Sequence, residues 1–184
     1  MTRVFLTSGP RGSGKTFFVR QIKQIYPYFH YINRDEILID LFGTVYISSE
    51  FNNSKKAYNI MFDRIKKIAD ATNLGDNKII ILDCWNLCAS ERKIIIRRLE
   101  ESGADRINCI QFLISTELNI VYFQRKKGFS NYPEIAIACD NELYYKESTH
   151  IEYEEFDRVY KVDQDKPGSI SVRTLQSIFS SHTT

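Results

Sequence analysis

A chain of 184 residues has the length of one domain with a proper core, and 43% hydrophobic residues with 13% aromatics argue against disorder. The formal net charge of +2 is too small by itself to call for a nucleic-acid partner. No apolar run is long enough to span a bilayer, and the first strand starts too near Met1 to leave room for a signal peptide, so a cytoplasmic protein is expected.

In chain order, residues 3–8 form an apolar run read as a strand. It leads into Gly9-Pro10-Arg11-Gly12-Ser13-Gly14-Lys15-Thr16, which matches the phosphate-loop pattern G-x-x-x-x-G-K-[ST] at every fixed position. A helix over 15–25, with Phe17, Phe18, Ile22 and Ile25 in its periodic pattern, completes the strand–loop–helix order that the motif requires. The small residues Gly9, Gly12, Ser13 and Gly14 let backbone N–H groups curl around a phosphate, aided by the dipole of the helix behind them. Lys15 can reach the outer phosphates and the Thr16 hydroxyl can coordinate Mg²⁺. A bound ATP, or another nucleoside triphosphate, is therefore expected.

A second strand over 29–33 ends at Asn33, and Arg34-Asp35-Glu36 opens a helix over 34–42. If this strand lies beside the phosphate-loop strand, Asp35 sits across the γ-phosphate, where a general base takes a proton from an attacking hydroxyl. Asp35 is equally well read as the cap of the following helix. A helix over 54–72 carries Tyr58, Met61, Phe62 and Ile65 on one stripe, the pattern of ordinary core packing. The strand over 78–83 is a continuous apolar run ending in Asp83. Ligands of such sheets bind at that end, so Asp83 is a candidate for organising Mg²⁺ in its second shell, preferred over a loop-capping role, and Asn86 shares the cluster.

Further on come a helix over 90–102, a strand over 107–114 and a helix over 116–127. The last closes on Arg125-Lys126-Lys127-Gly128, which can form a phosphate-clamping lid over about 125–132. On spacing alone, plain dipole compensation at a helix C-terminus is the preferred reading of those cations. A helix over 133–146 and a strand over 158–163 follow, with a peripheral tail over 166–184. Five strands between helices, most of them without alternation, imply a three-layer α/β domain of the P-loop NTPase type, its sheet mostly parallel. The four cysteines are scattered and read as buried reduced thiols, and the three histidines are isolated from one another.

Taken together, these blocks resemble the 5′-hydroxyl polynucleotide kinase family, in particular the bacteriophage-type kinase domain. The resemblance rests on Leu6–Thr16, on Tyr31-Ile32-Asn33-Arg34-Asp35-Glu36, on Ile81-Leu82-Asp83-Cys84-Trp85-Asn86-Leu87 with Glu91-Arg92, and on the basic stretch ending at Lys127-Gly128. Pro133-Glu134 and Glu154-Glu155-Phe156-Asp157-Arg158-Val159 also match, so it covers roughly residues 3–163. It implies transfer of the ATP γ-phosphoryl group to the 5′-hydroxyl end of DNA or RNA, in the host cytoplasm if the protein is viral. Asp35 would be the base, Lys15 the phosphate clamp, Ser13 and Thr16 phosphate and Mg²⁺ contacts, and Arg125 or Lys127 the charge-stabilising lid residue. Asp83, Asn86 and Arg34 would support the site.

Three departures stand out. Ile37-Leu38-Ile39 occupies the stretch where the family commonly has an acceptor-holding arginine, Lys127 replaces an arginine before the glycine, and no D-x-D-G-T-like run marks a phosphatase domain. A kinase of small acceptors (a nucleoside, nucleotide or sugar nucleotide) on the same fold therefore stays open. A nucleotide switch is less favoured, since no N-K-x-D motif is present. Nothing in the pattern specifies an oligomeric state.

Overall fold

The computed structural model describes residues 1–45, 51–71, 77–125 and 133–166. Lys127 and all of the expected lid beyond Arg125 lie outside them, as does the expected tail beyond Lys166.

The elements run β1 (Thr2–Ser8), α1 (Lys15–Ile25), β2 (His30–Asn33), α2 (Arg34–Phe42), α3 (Phe51–Asp70), β3 (Lys78–Asp83) and α4 (Ala89–Glu101). There follow β4 (Arg106–Leu113), α5 (Thr116–Gln124), α6 (Glu134–Glu147), a 3-10 turn (Ile151–Tyr153) and β5 (Arg158–Asp163). The described strands form one parallel sheet in the order β2-β3-β1-β4-β5. The strand carrying Asp83 thus lies between β1 and β2. The expectation that β2 neighbours the phosphate-loop strand is corrected accordingly. Local periodicity marks a strand but carries no information about its partner in a sheet built by crossovers.

Burial on both faces explains the unbroken apolar runs. Val4 and Leu6 of β1 pack with Ile80 and Leu82 of β3 under α2, α3 and α4, through Leu38, Met61, Ile65, Ile96 and Leu99. Phe5 and Ile81 point the other way, into a cluster with Val19 and Ile22 of α1, Ile110, Phe112 and Val162. Successive residues therefore meet different helices, and none of β1 is left to water. Each fully buried Leu, Ile or Phe contributes roughly 1.5–3 kcal/mol relative to exposure. The stripe expected at Tyr58, Met61, Phe62 and Ile65 is this core packing.

Helix ends position the site. Asn33 caps α2, its side-chain oxygen accepting from the backbone N–H groups of Asp35 (2.7 Å) and Glu36 (3.2 Å). Asp35 is therefore not the cap. The helix stops at Gly43, whose φ of 72° lets its N–H return to the Ile39 carbonyl at 2.8 Å. In α4 the opening lies at Cys88, two residues before the expected Ser90, with the Glu91 carboxylate accepting from the Cys88 N–H at 3.1 Å. Of the cysteines, Cys84 and Cys109 are buried as expected, whereas Cys88 is half-buried and Cys139 is exposed on α6. No described helix is long and apolar enough to cross a membrane.

Candidate active site

Sheet register explains the site. Thr7 of β1 pairs with Asp83 of β3, and Asp83 pairs with Asn33 of β2, so three adjacent strands end in one polar row. Asp83 is 7% exposed and sits at the centre. Its carboxylate accepts from the hydroxyls of Thr7 (3.1 Å), Thr16 (2.9 Å) and Tyr31 (3.1 Å), and from the Asn33 amide at 3.4 Å. Asn33 also donates to the Tyr31 oxygen at 2.6 Å. Burial, then the neighbouring Asp83 charge, push the Tyr31 phenol well above its ordinary range, so it stays a donor. The same two causes push the Cys84 thiol up to about 12, which leaves it neutral and unreactive as a nucleophile.

The phosphate loop leaves β1 beside this row. Gly12 adopts φ 83°, and a Cβ there would come 2.5 Å from Asn119 Oδ1 of α5, so only glycine fits. Asn119 is itself buried and donates to Asn141 at 2.6 Å, which ties the α5–α6 pair to the loop. Lys15 folds its ammonium back onto the Gly9 and Pro10 carbonyls, at 2.8 and 2.9 Å. These are the contacts that an anion in the loop would replace. Ser13 is buried, and its hydroxyl has no partner among the described residues.

A pocket of ≈ 320 Å³ opens over the loop, and Lys15, Thr16, Asp83, Asn86, Arg34 and Asp35 all line it. With Gly9 and Gly12, which also line it, eight of the expected site residues are thereby brought together. Asp35 sits in the first turn of α2 with its side chain 59% exposed, 3.8 Å from Arg34 Nη1. Arg34 donates to Ser54 Oγ at 2.9 Å and stacks over the Tyr58 ring, 5.1 Å from its centroid. Asn86 donates to the Thr7 and Cys84 carbonyls at 2.8 and 2.9 Å, and its own buried oxygen has no partner among the described residues. Arg125 ends α5, exposed and outside the pocket lining.

Several residues were not singled out from the pattern. Tyr31 and Asn33 are two apart on one strand and so share a face, a signal that was present. Arg11 of the loop stacks 5.0 Å from the Trp85 ring centroid and lies 3.1 Å from Asp140 Oδ2. Burial raises the Asp140 carboxyl, with Arg11 and then Lys15 opposing it. Arg92 is wholly buried. Its Nε donates to both Glu154 oxygens at 3.0 and 2.8 Å. Its terminal nitrogens reach the Asn86 (3.1 Å), Leu87 (2.6 Å) and Glu147 (2.7 Å) carbonyls. Arg92 thus fixes the loop that follows Asp83. It stands at the head of the stripe Ile95, Ile96, Leu99, so helical spacing alone puts it on the buried face.

The oxygen donors suit a hard divalent cation. The Thr16 hydroxyl and Asp83 carboxylate are close enough to share one, and no group of three or more His, Cys, Asp or Glu forms a cage among the described residues. Magnesium commonly takes few protein ligands and completes its shell with water and substrate phosphates.

No family model matches the chain. No curated protein matches it either. Solved structures do. A chain of the Pnkp1/Rnl/Hen1 RNA repair complex superposes with TM-score 0.69 at 17% identity, covering 83% of this chain and 47% of that one. A second structure of a Pnkp1/Rnl/Hen1 complex gives TM-score 0.55 at 18% identity, over 70% of this chain and 44% of the other. A candidate kinase from Chloroflexus aurantiacus gives TM-score 0.69 at 11% identity, over 98% and 95%. The chain therefore spans about half the length of the RNA-repair chains and nearly all of the Chloroflexus protein. At these identities the likeness shows the fold alone.

Proposed function

We propose that this chain is a phosphotransferase that moves the γ-phosphoryl group of ATP, or another nucleoside triphosphate, to the 5′-hydroxyl end of a DNA or RNA strand. The observation that carries this reading is the Thr16–Asp83 hydrogen bond at 2.9 Å, in one pocket with an exposed Asp35. A loop for phosphates, an oxygen pair for a cation and a separate free carboxylate are the parts that phosphoryl transfer uses.

Triphosphate binding in the loop places its outer phosphates against Lys15, which lines the pocket, whereas the wholly buried Ser13 hydroxyl lies outside that lining. Mg²⁺, held through Thr16 with Asp83 behind it, would neutralise charge on the β- and γ-oxygens. Asp35 orients the acceptor hydroxyl and takes its proton as the new O–P bond forms. The bond to the leaving diphosphate oxygen breaks, and that oxygen keeps the electron pair. Arg34, rigidly held by Ser54 and Tyr58, places a cation beside Asp35, suited to a phosphate of the acceptor. Arg125 or Lys127 would act as the lid cation.

The RNA-repair setting of two structural neighbours supports a polynucleotide acceptor. One observation favours a small acceptor instead. Ile37 and Leu38 are core residues at 1% and 0% exposure, so α2 offers the acceptor no cation beyond Arg34 on the stretch 37–39.

The test is transfer of label from γ-labelled ATP with Mg²⁺ to 5′-hydroxyl DNA and RNA strands, nucleosides, and nucleoside monophosphates. Labelled strands are the expected outcome. Label confined to small acceptors moves the substrate class to the second reading, and ATP binding without transfer to any acceptor overturns the kinase reading.

A further inference from the structure

A second concavity lies along β2, at the end of the sheet away from the phosphate loop. β2 pairs with β3 alone, so its outer edge is open among the described residues. A groove of ≈ 450 Å³ follows that edge between the C-terminal halves of α1 and α3, lined by Lys23, His30, Arg64, Lys67 and Ile68 among others. A hollow of ≈ 590 Å³ sharing His30 and Lys67 continues it past Tyr28 and Lys78. No carboxylate lines either one, although Asp63 and Asp70 neighbour these cations on α3. Lys23, Arg64 and Lys67 are exposed and have no ion-pair partner among the described residues. Lys78 differs, its ammonium being spent on the Ala69 and Ala71 carbonyls at the end of α3.

A lysine on an edge strand can simply discourage pairing with another chain. None of the three cations stands on β2, Lys23 being on α1 and Arg64 and Lys67 on α3, so edge protection does not account for three of one sign converging without an acid. Beside them stands Tyr28, 93% exposed. Unpaired cations with an open aromatic face match a single-stranded polynucleotide, its phosphates on the cations and a base on the ring. Position adds to the match. The strand that begins at His30 in the groove ends at Asn33 in the active site, roughly 10 Å away at a rise of about 3.3 Å per residue.

We infer that the β2-edge groove is a secondary polynucleotide-binding surface that holds the acceptor strand downstream of the 5′ end presented to Asp35. The inference rests on the polynucleotide reading above. The test compares the parent with a variant carrying Lys23→Gln, Arg64→Gln and Lys67→Gln, and with Tyr28→Ala. All are surface positions, and a matched thermal midpoint checks that each variant folds. Binding of a 5′-phosphorylated, hence unreactive, single strand is followed by fluorescence anisotropy across salt concentrations. Transfer is followed with a long 5′-hydroxyl strand and with a dinucleotide.

The expected result is a salt slope shallower by about 2 in the triple variant, from three lost contacts at ~0.7 each. The KM for the long strand should rise about tenfold, with kcat and the dinucleotide KM unchanged, and Tyr28→Ala should weaken strand binding at every salt concentration. Unchanged affinity and slope overturn the groove while leaving the kinase reading in place. Groove-dependent binding without transfer to any acceptor keeps the groove and removes the kinase reading. A variant that changes only self-association in sedimentation overturns the inference in favour of edge-to-edge pairing of two copies.

Discussion

Asp83 and Asp35 line one pocket and are held in opposite ways. Thr7, Thr16, Tyr31 and Asn33 all donate to Asp83, and the loop behind it is pinned by Asn86 and Arg92. Asp35 is more than half exposed, with Arg34 at 3.8 Å as its nearest cation. Three donors on Oδ2 and one on Oδ1 fix the orientation of the Asp83 carboxylate. The Asp35 carboxylate is open to the pocket and to an incoming acceptor. The difference divides the pocket into a fixed wall on the β3 side and a reactive wall at the start of α2.

The largest effect should come from the reactive wall. Asp35→Asn removes the carboxylate proposed as the proton acceptor and should lower kcat about 10²–10⁴-fold, with nucleotide affinity and thermal midpoint unchanged. Turnover surviving intact would erase the distinction between the two walls. On the fixed wall, Arg92→Ala leaves the Glu154 carboxylate and three carbonyls without their donor. It should cost about 3–5 kcal/mol in denaturant unfolding. Arg92→Lys should recover only part, since an ammonium cannot form the fork. Asp83→Asn should cost roughly 1–3 kcal/mol, because an amide in place of the carboxylate faces donors it cannot all satisfy. It should also raise the Mg²⁺ concentration needed for half-maximal transfer, which Asp35→Asn should leave alone; an equal Mg²⁺ shift in both variants would merge the two roles. The smallest change is Tyr31→Phe. Losing one donor to Asp83 should cost about 0.5–1.5 kcal/mol, read from thermal unfolding, with kcat close to the parent value.

The two walls were unequally legible in the sequence. The phosphate loop declares itself because backbone curvature around a phosphate demands glycine at fixed spacing, and Gly12 bears this out against Asn119. Each expected strand lies within one residue of its observed start and end, and in the central β1 and β3 burial on both faces leaves the apolar run that marks them. The neighbour of β1 was not legible, because crossovers let any strand pair with any other, and β3 rather than β2 took that place. In the sequence Asp35 reads equally well as base or as cap of α2, and the side chain of Asn33 is the cap. Both residues have capping chemistry, and only backbone direction separates them. Helical spacing puts Arg92 on the buried face with Ile95, Ile96 and Leu99, but its partner Glu154 lies 62 positions away, where no local pattern points to it.

The insertion of β3 between β1 and β2 also bears on how the site comes into being. When the chain emerges from the ribosome, β1, the phosphate loop and β2 are all made within the first thirty-three residues. β1 and β2 share no ladder, and Lys78–Asp83 pairs with both. The nascent loop therefore precedes the carboxylate that orders Thr16, and a triphosphate site on the β3 side cannot exist before that strand is built in. Pairings of such long sequence separation are slow to form, which makes assembly of the pocket a late folding event, simultaneous with closure of the sheet's centre.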